Sequence, residues 1–196
     1  MTPAHPPERI LCIKLKHVGD VLLMTPAIRA LHQAWPECRI AALVPRGTEG
    51  VLAGNPDLDE VLVLDRGEGC RGTWRIIRAL RGYAPDLVLE MGQGDREAVL
   101  GWLSGARQRV GYAPGWSGQW RRVLLTRAVP WNGRQHMVET NLDLVRACGI
   151  SAAAVRPILV VQPEAQARAG ALLRDAGWEL ARSLVVVQTE HSARGC

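Results

Sequence analysis

Lys14, Lys16, His17, Gly19 and Asp20 crowd into one short stretch, Arg9-Ile-Leu-Cys-Ile-Lys-Leu-Lys-His-Val-Gly-Asp20. A carboxylate at position 20 can take a proton from a substrate hydroxyl. The same carboxylate can also cap the helix that begins there. Lys14, Lys16 and His17 can neutralise a phosphate or a developing negative charge, or form a charged rim, and strand alternation would put the two lysines on one face. Gly19, lacking Cβ, permits positive φ or the close approach of a ligand to the backbone.

Two further groups carry candidate chemistry. Glu90, Gln93, Asp95 and Arg96 belong to the Glu90-Met-Gly-Gln-Gly-Asp95 loop and its exit, where a sugar acceptor could sit. Arg107 and Arg109 alternate nearby and can meet phosphate. His136 and Glu139 open a helix with Asn141 and Asp143, and are read as a ligand-positioning or loop-anchoring pair, or as a solvated first turn. An H-x-x-E pair lacks a third ligand, and the five scattered cysteines form no C-x-x-C, so no metal site is expected.

These residues need a scaffold that brings loops together. Apolar runs predict strands at Ile10–Leu15, Arg39–Val44, Glu60–Leu64, Pro85–Glu90 and Arg109–Tyr112. Between them, 3.6-residue periodicity predicts helices over Asp20–Trp35, Glu49–Ala53, Thr73–Arg81 and Arg96–Leu103, the second capped by Thr48. A repeated strand-helix rhythm with right-handed crossovers makes an α/β fold with an open parallel sheet, whose ligands bind at the carboxyl ends of strands. Beyond it, Ala113–Trp120 reads as a loop, Val123–Thr126 and Pro157–Val161 as extended, and Met137–Cys148 as a helix stopped by Gly149. A helix over Glu164–Ala176 and a buried-type strand, Leu184–Val187, complete the expected elements.

At 196 residues, 47% hydrophobic and 22% charged, the chain is an ordinary globular one. The net charge of +5 favours anionic partners, but no nucleic-acid reader motif accompanies it, so no nucleic-acid partner is expected. No G-x-G-x-x-G follows the first strand and no G-x-x-x-x-G-K-[ST] occurs, which argues against a dinucleotide dehydrogenase or a P-loop enzyme. No apolar run reaches membrane-spanning length, so any membrane contact is expected from the side, and reduced thiols fit a cytoplasmic location.

The order of several segments resembles the amino-terminal domain of the ADP-heptose:lipopolysaccharide heptosyltransferases, glycosyltransferase family 9, most closely the branch adding later inner-core heptoses. The resemblance rests on Arg9–Leu31, Gly54-Asn-Pro-Asp-Leu-Asp-Glu-Val61, Asp86-Leu-Val-Leu89, Leu103-Ser-Gly-Ala-Arg-Gln-Arg-Val-Gly111 and His136-Met-Val-Glu-Thr-Asn-Leu-Asp-Leu144. It implies the Rossmann-like half of a GT-B enzyme that needs no metal or cofactor and transfers heptose with inversion from ADP-L-glycero-β-D-manno-heptose to the lipid A-core oligosaccharide. Asp20 falls on the family's catalytic base. Lys14, Lys16, His17 and Gly19 fall on the acceptor and phosphate side of the cleft.

The resemblance further implies peripheral contact with the cytoplasmic face of the inner membrane. It divides the chain into a disordered tail over 1–8, an acceptor-binding domain over 9–161, a linker helix over 162–183 and the start of a truncated nucleotide-sugar domain over 184–196. In place of the family's usual His-Pro loop stands Gln188-Thr-Glu-His-Ser-Ala-Arg-Gly-Cys196, with His191-Ser192 as a shifted remnant. The alternative reading is a non-catalytic domain that binds phosphorylated glycolipid.

Overall fold

A computed structural model describes residues 6–65, 67, 69–113, 119–153, 156–178 and 183–187, in two units, Met1–Val160 and Val161–Cys196. In the first unit, β1 (Arg9–Ile13), β2 (Arg39–Pro45), β3 (Glu60–Leu64), β4 (Leu87–Glu90), β5 (Gln108–Tyr112) and β6 (Arg127–Val129) form one sheet. Every pairing is parallel, in the order β3-β2-β1-β4-β5-β6. The order reverses direction between β1 and β4, which leaves a crevice beyond their carboxyl ends.

Side-chain alternation divides the core in two. Ile10 and Cys12 join Ile40, Ala42 and Leu89 against α2 (Thr25–Ala34) and α6 (Met137–Ala147). Leu11, Ile13 and Leu15 join Leu43 and Val88 against α3 (Gly69–Tyr83) and α4 (Asp95–Leu103). Because β1 and β4 are covered on both faces, their apolar residues run without interruption. Each fully buried aliphatic side chain there contributes about 1.5–3 kcal/mol. Burial also pushes the Cys148 thiol up to about 11 and that of Cys38 up to about 12, so both stay protonated.

The helix expected over Asp20–Trp35 is two helices, α1 (Val18–Leu22) and α2, meeting at Leu23 and Met24. Pro26 has no N–H to give to the Leu22 carbonyl, so the ladder breaks there. Thr25 Oγ1 donates to that carbonyl instead, at 2.8 Å. Asn141 Nδ2 donates to the Leu23 carbonyl, also at 2.8 Å. Both carbonyls freed by the break thus find side-chain donors.

Other expectations are corrected. Val123 and Leu124, read as extended, belong to α5 (Gln119–Leu124), and β6 follows at Arg127. A buried polar anchor, Arg121, fixes this helix, which β-propensity ignores. The helix expected at Glu49–Ala53 is a 3-10 turn over Glu49–Leu52, and Thr48 Oγ1 donates to the Pro45 carbonyl rather than capping it. Residues 157–161 pair with no strand among the described residues, although Ile158 N donates to Thr25 Oγ1 at 2.8 Å.

In the second unit, α7 (Pro163–Asp175) ends before Gly177, whose φ of +82° suits a residue without Cβ. Leu184–Val187, expected as a buried strand, is irregular and exposed, since it has no strand partner among the described residues. His191 and Ser192, and residues 114–118 of the expected aromatic loop, lie outside the described residues.

Candidate active site

The crevice wall on the β1 side is the turn Lys14–His17 and the first turn of α1. Lys14 continues the ladder, donating its backbone N–H to the Leu43 carbonyl at 3.0 Å. Alternation turns its side chain toward α6, where only 1% of the residue is exposed. Its Nζ donates to the Met91 carbonyl at 2.6 Å and to Asn141 Oδ1 at 3.2 Å, and lies 3.4 Å from Met137 Sδ. An ammonium has three donors, and all three are engaged. Burial lowers the Lys14 pKa to about 8, while the Asp20 and Glu97 carboxylates favour its charged form and Lys16 opposes it.

Lys14 is therefore an internal strut rather than a rim lysine. The relay from Met91 O through Lys14 and Asn141 to Leu23 O joins the exits of β1 and β4 to α6 and to the α1–α2 break. Lys16, by contrast, is exposed, so the expected shared face of the two lysines is corrected. Beyond the last ladder hydrogen bond at Lys14, the turn carries Lys16 and His17 into solvent.

Asp20 stands in the first turn of α1, partly exposed. His17, not Asp20, occupies the N-cap position, which removes the capping alternative. Gly19 is exposed, has helical backbone, and a Cβ placed on it would meet nothing within 4 Å. No local strain demands glycine there, and its effect is to keep the wall beside Asp20 bare.

The opposite wall is the loop Met91–Gly94. It folds over Glu97, a buried carboxylate at the third position of α4, whose Oε1 accepts from Leu15 N at 3.2 Å. A Cβ at Gly92 or Gly94 would fall 2.1 Å from a Glu97 oxygen, so both glycines are required by this close approach. Gln93 is partly exposed and Asp95 exposed at this wall, while Arg96 Nη2 reaches sideways to Thr73 Oγ1 at 3.4 Å.

Glu90 does not reach the crevice. Alternation places it with Val88 on the α4 side, fully buried, in space left by Gly101 and Gly111. Its Oε2 lies 3.4 Å from Arg121 Nη2, and Arg121 Nη1 donates to the Gln93 carbonyl at 2.6 Å. Burial raises the Glu90 pKa to about 7 against the pull of Arg121. Among the described residues, Glu90 Oε1 and Arg121 Nε have no hydrogen-bond partner.

The expected His136–Glu139 pair is likewise corrected. His136 is the N-cap of α6, its Nδ1 accepting from Val138 N at 3.3 Å. Glu139 instead pairs with Arg146 Nη2 at 2.8 Å. Arg109 directs Nε and Nη1 of its guanidinium to the Leu124 and Ala106 carbonyls. Among the described residues, no group of three His, Cys, Asp or Glu side chains could hold a metal ion.

Sequence reasoning did not single out Glu97, Arg121 or Met91, and took Asn141 for part of a polar cluster. The available signal was a polar residue interrupting an apolar stripe, as Asn141 does between Val138 and Leu142. A depression of about 760 Å³ lies elsewhere, at the amino-terminal ends of the strands beside Pro7, Asp86 and Gln108. We place the site in the crevice because candidate chemistry and the reversal of strand order converge there, whereas Asp86 is spent on the backbone N–H groups of Glu8 and Arg9.

A six-stranded parallel sheet of this order, with a carboxylate beside its switch-point crevice, has the architecture of the Rossmann-like amino-terminal half of a GT-B heptosyltransferase. The chain is homologous to lipopolysaccharide heptosyltransferases, being 28% identical over 144 residues to Lipopolysaccharide heptosyltransferase 3 of Escherichia coli K12, a match covering 70% of this chain and 41% of that protein. Among solved structures, the glycosyl transferase family 9 protein of Veillonella parvula matches 89% of this chain and 51% of its own at a TM-score of 0.78 and 20% identity. The ADP-heptose lps heptosyltransferase II of E. coli matches 89% and 52% at a TM-score of 0.66 and 20% identity. The chain thus spans about half the length of the relatives it matches. No protein-family model matches the sequence.

Proposed function

We propose that the chain is the acceptor-binding half of an inverting heptosyltransferase that carries heptose from ADP-heptose to the lipopolysaccharide inner core. The observation carrying this reading is Asp20 on a bare, exposed helical turn at the β1–β4 crevice, in a chain homologous to lipopolysaccharide heptosyltransferases. In this role Asp20 accepts the proton of the acceptor hydroxyl as that oxygen attacks the anomeric carbon and ADP leaves from the opposite face. Lys16 and His17 meet core phosphate, Gln93 and Asp95 line the facing wall, and Lys14 positions the turn. His136 stands at the α6 end of the same crevice.

The reading extends to a place among the later inner-core transfers. The setting is the cytoplasmic face of the inner membrane, approached from the side; among the described residues no helix is long and apolar enough to cross a membrane. Titration with lipid-free phosphorylated inner-core oligosaccharide tests the reading. Saturable, salt-weakened binding that survives Asp20→Asn is expected, with no ADP release from ADP-heptose by the 196-residue chain. Absence of binding at low salt contradicts the acceptor role, and Asp20-dependent ADP release contradicts the half-enzyme role.

A further inference from the structure

The two helical layers of the first unit differ in what they show to solvent. On the α2 and α6 side, charges pair locally: Arg29 with Asp57 at 2.9 Å, and Arg146 with Glu139 and Asp143 at 2.8 Å each. Neither helix exposes a large hydrophobic residue. On the other side, Trp74 of α3, Val99 and Trp102 of α4, and Trp120 and Val123 of α5 stand 38–82% exposed.

These side chains lie on one layer. Arg96 of α4 reaches Thr73 of α3 at one end, and Arg81 of α3 donates to the Leu103 carbonyl of α4 at the other, so the two helices run side by side. Arg121 ties α5 to the same layer through Glu90. Within α4, Val99 and Trp102 are three residues apart, as are Trp120 and Val123 within α5, so each pair shares a helix face.

The charge on this layer is lopsided. Helix α3 carries Arg71, Arg75, Arg78 and Arg81 and no acid, and α5 adds the exposed Arg122. The exposed acids at its borders include Asp95 at the head of α4 and Glu60, which lines a depression with Ala79 and Gly82 of α3. Asp65, held ionised by the Gly67 N–H and by Arg46 with a smaller pull from Arg75, is already paired with Arg46 at 2.6 Å. Indole rings flanked by guanidinium groups suit the headgroup region of an anionic bilayer, where the ring takes the interface and arginine meets phosphate. Like charge opposes a second copy docking on the same face.

We infer that the outer face of α3, α4 and α5 docks the protein onto an anionic lipid surface. This deepens the proposed function, on which it rests for the setting at a membrane, but its test does not use lipopolysaccharide. The chain is floated with vesicles of phosphatidylcholine alone or with phosphatidylglycerol added, beside Arg71→Glu/Arg78→Glu and Trp74→Ser/Trp102→Ser variants whose folding is checked by circular dichroism. Wild type should float with the anionic vesicles only, roughly tenfold or more above the arginine variant. The tryptophan variant should retain part of the binding and show weaker quenching by brominated lipid, with Trp120 left on the face. No flotation, equal flotation on neutral vesicles, full binding by the arginine variant, or equally strong binding to duplex DNA overturns the inference. Since the vesicles hold no core sugar, a failure here leaves the acceptor titration standing, and the reverse also holds.

Discussion

Lys14 and Glu90 are buried charges at the ends of neighbouring strands, pointing to opposite faces of the sheet, and they are treated differently. Every donor of Lys14 is engaged, and its partners belong to β4's exit and to α6. Glu90 has one long contact to Arg121 and one unpartnered oxygen among the described residues. The difference separates a strut from a joint: Lys14 keeps all three donors while it stays charged, below about pH 8, whereas Glu90 holds the Gln93 wall through a single long contact whose charge balance changes near neutrality.

The largest expected effect is from Arg121→Met, which leaves Glu90 buried without its counter-ion and costs about 3–5 kcal/mol at pH 8 by urea denaturation. The cost shrinks at pH 5, where Glu90 is protonated. The sign follows from the raised carboxyl: between the ordinary value near 4.5 and about 7 the native state holds the extra proton, so its contribution is full below 4.5 and is lost as pH rises through 7. Glu90→Gln should flatten that slope. A cost independent of pH would show that Glu90 is not the joint described.

Asn141→Leu tests the strut, since it leaves Lys14 and the Leu23 carbonyl each short of a partner. About 1–3 kcal/mol should be lost, with hydrogen exchange accelerated first at the α1–α2 break. Unchanged exchange there would detach α1 from the relay. Gly19→Ala should have the smallest effect on stability, within about 1 kcal/mol and toward greater stability, because the helical site is open. It should nonetheless weaken binding of core oligosaccharide in calorimetry, and unaltered affinity would argue that nothing approaches this turn.

Much of the frame was legible from residue order. Five strands and the crevice position follow from apolar runs separated by turn residues, because burial on both faces demands such runs. The α1–α2 break was also visible in principle at Pro26, but apolar periodicity carried across it. What alternation within a strand does to a single polar residue was harder to see. Lys14 and Glu90 read as surface chemistry because lysine and glutamate are seldom buried, and only partners distant in sequence, Asn141 and Arg121, make their burial tolerable. Gly92, Gly94, Gly101 and Gly111 likewise look like flexible loops or defects until the Glu97 and Glu90 carboxylates they accommodate are seen.

The central claim, that the β1–β4 crevice is the acceptor site with Asp20 on its wall, is tested most directly by mapping amide chemical shifts as lipid-free phosphorylated core oligosaccharide is added. The account predicts saturable shifts at Lys16–Asp20 and Gln93–Asp95. Shifts confined to the amino-terminal depression beside Asp86 and Gln108, or none at all, would contradict it.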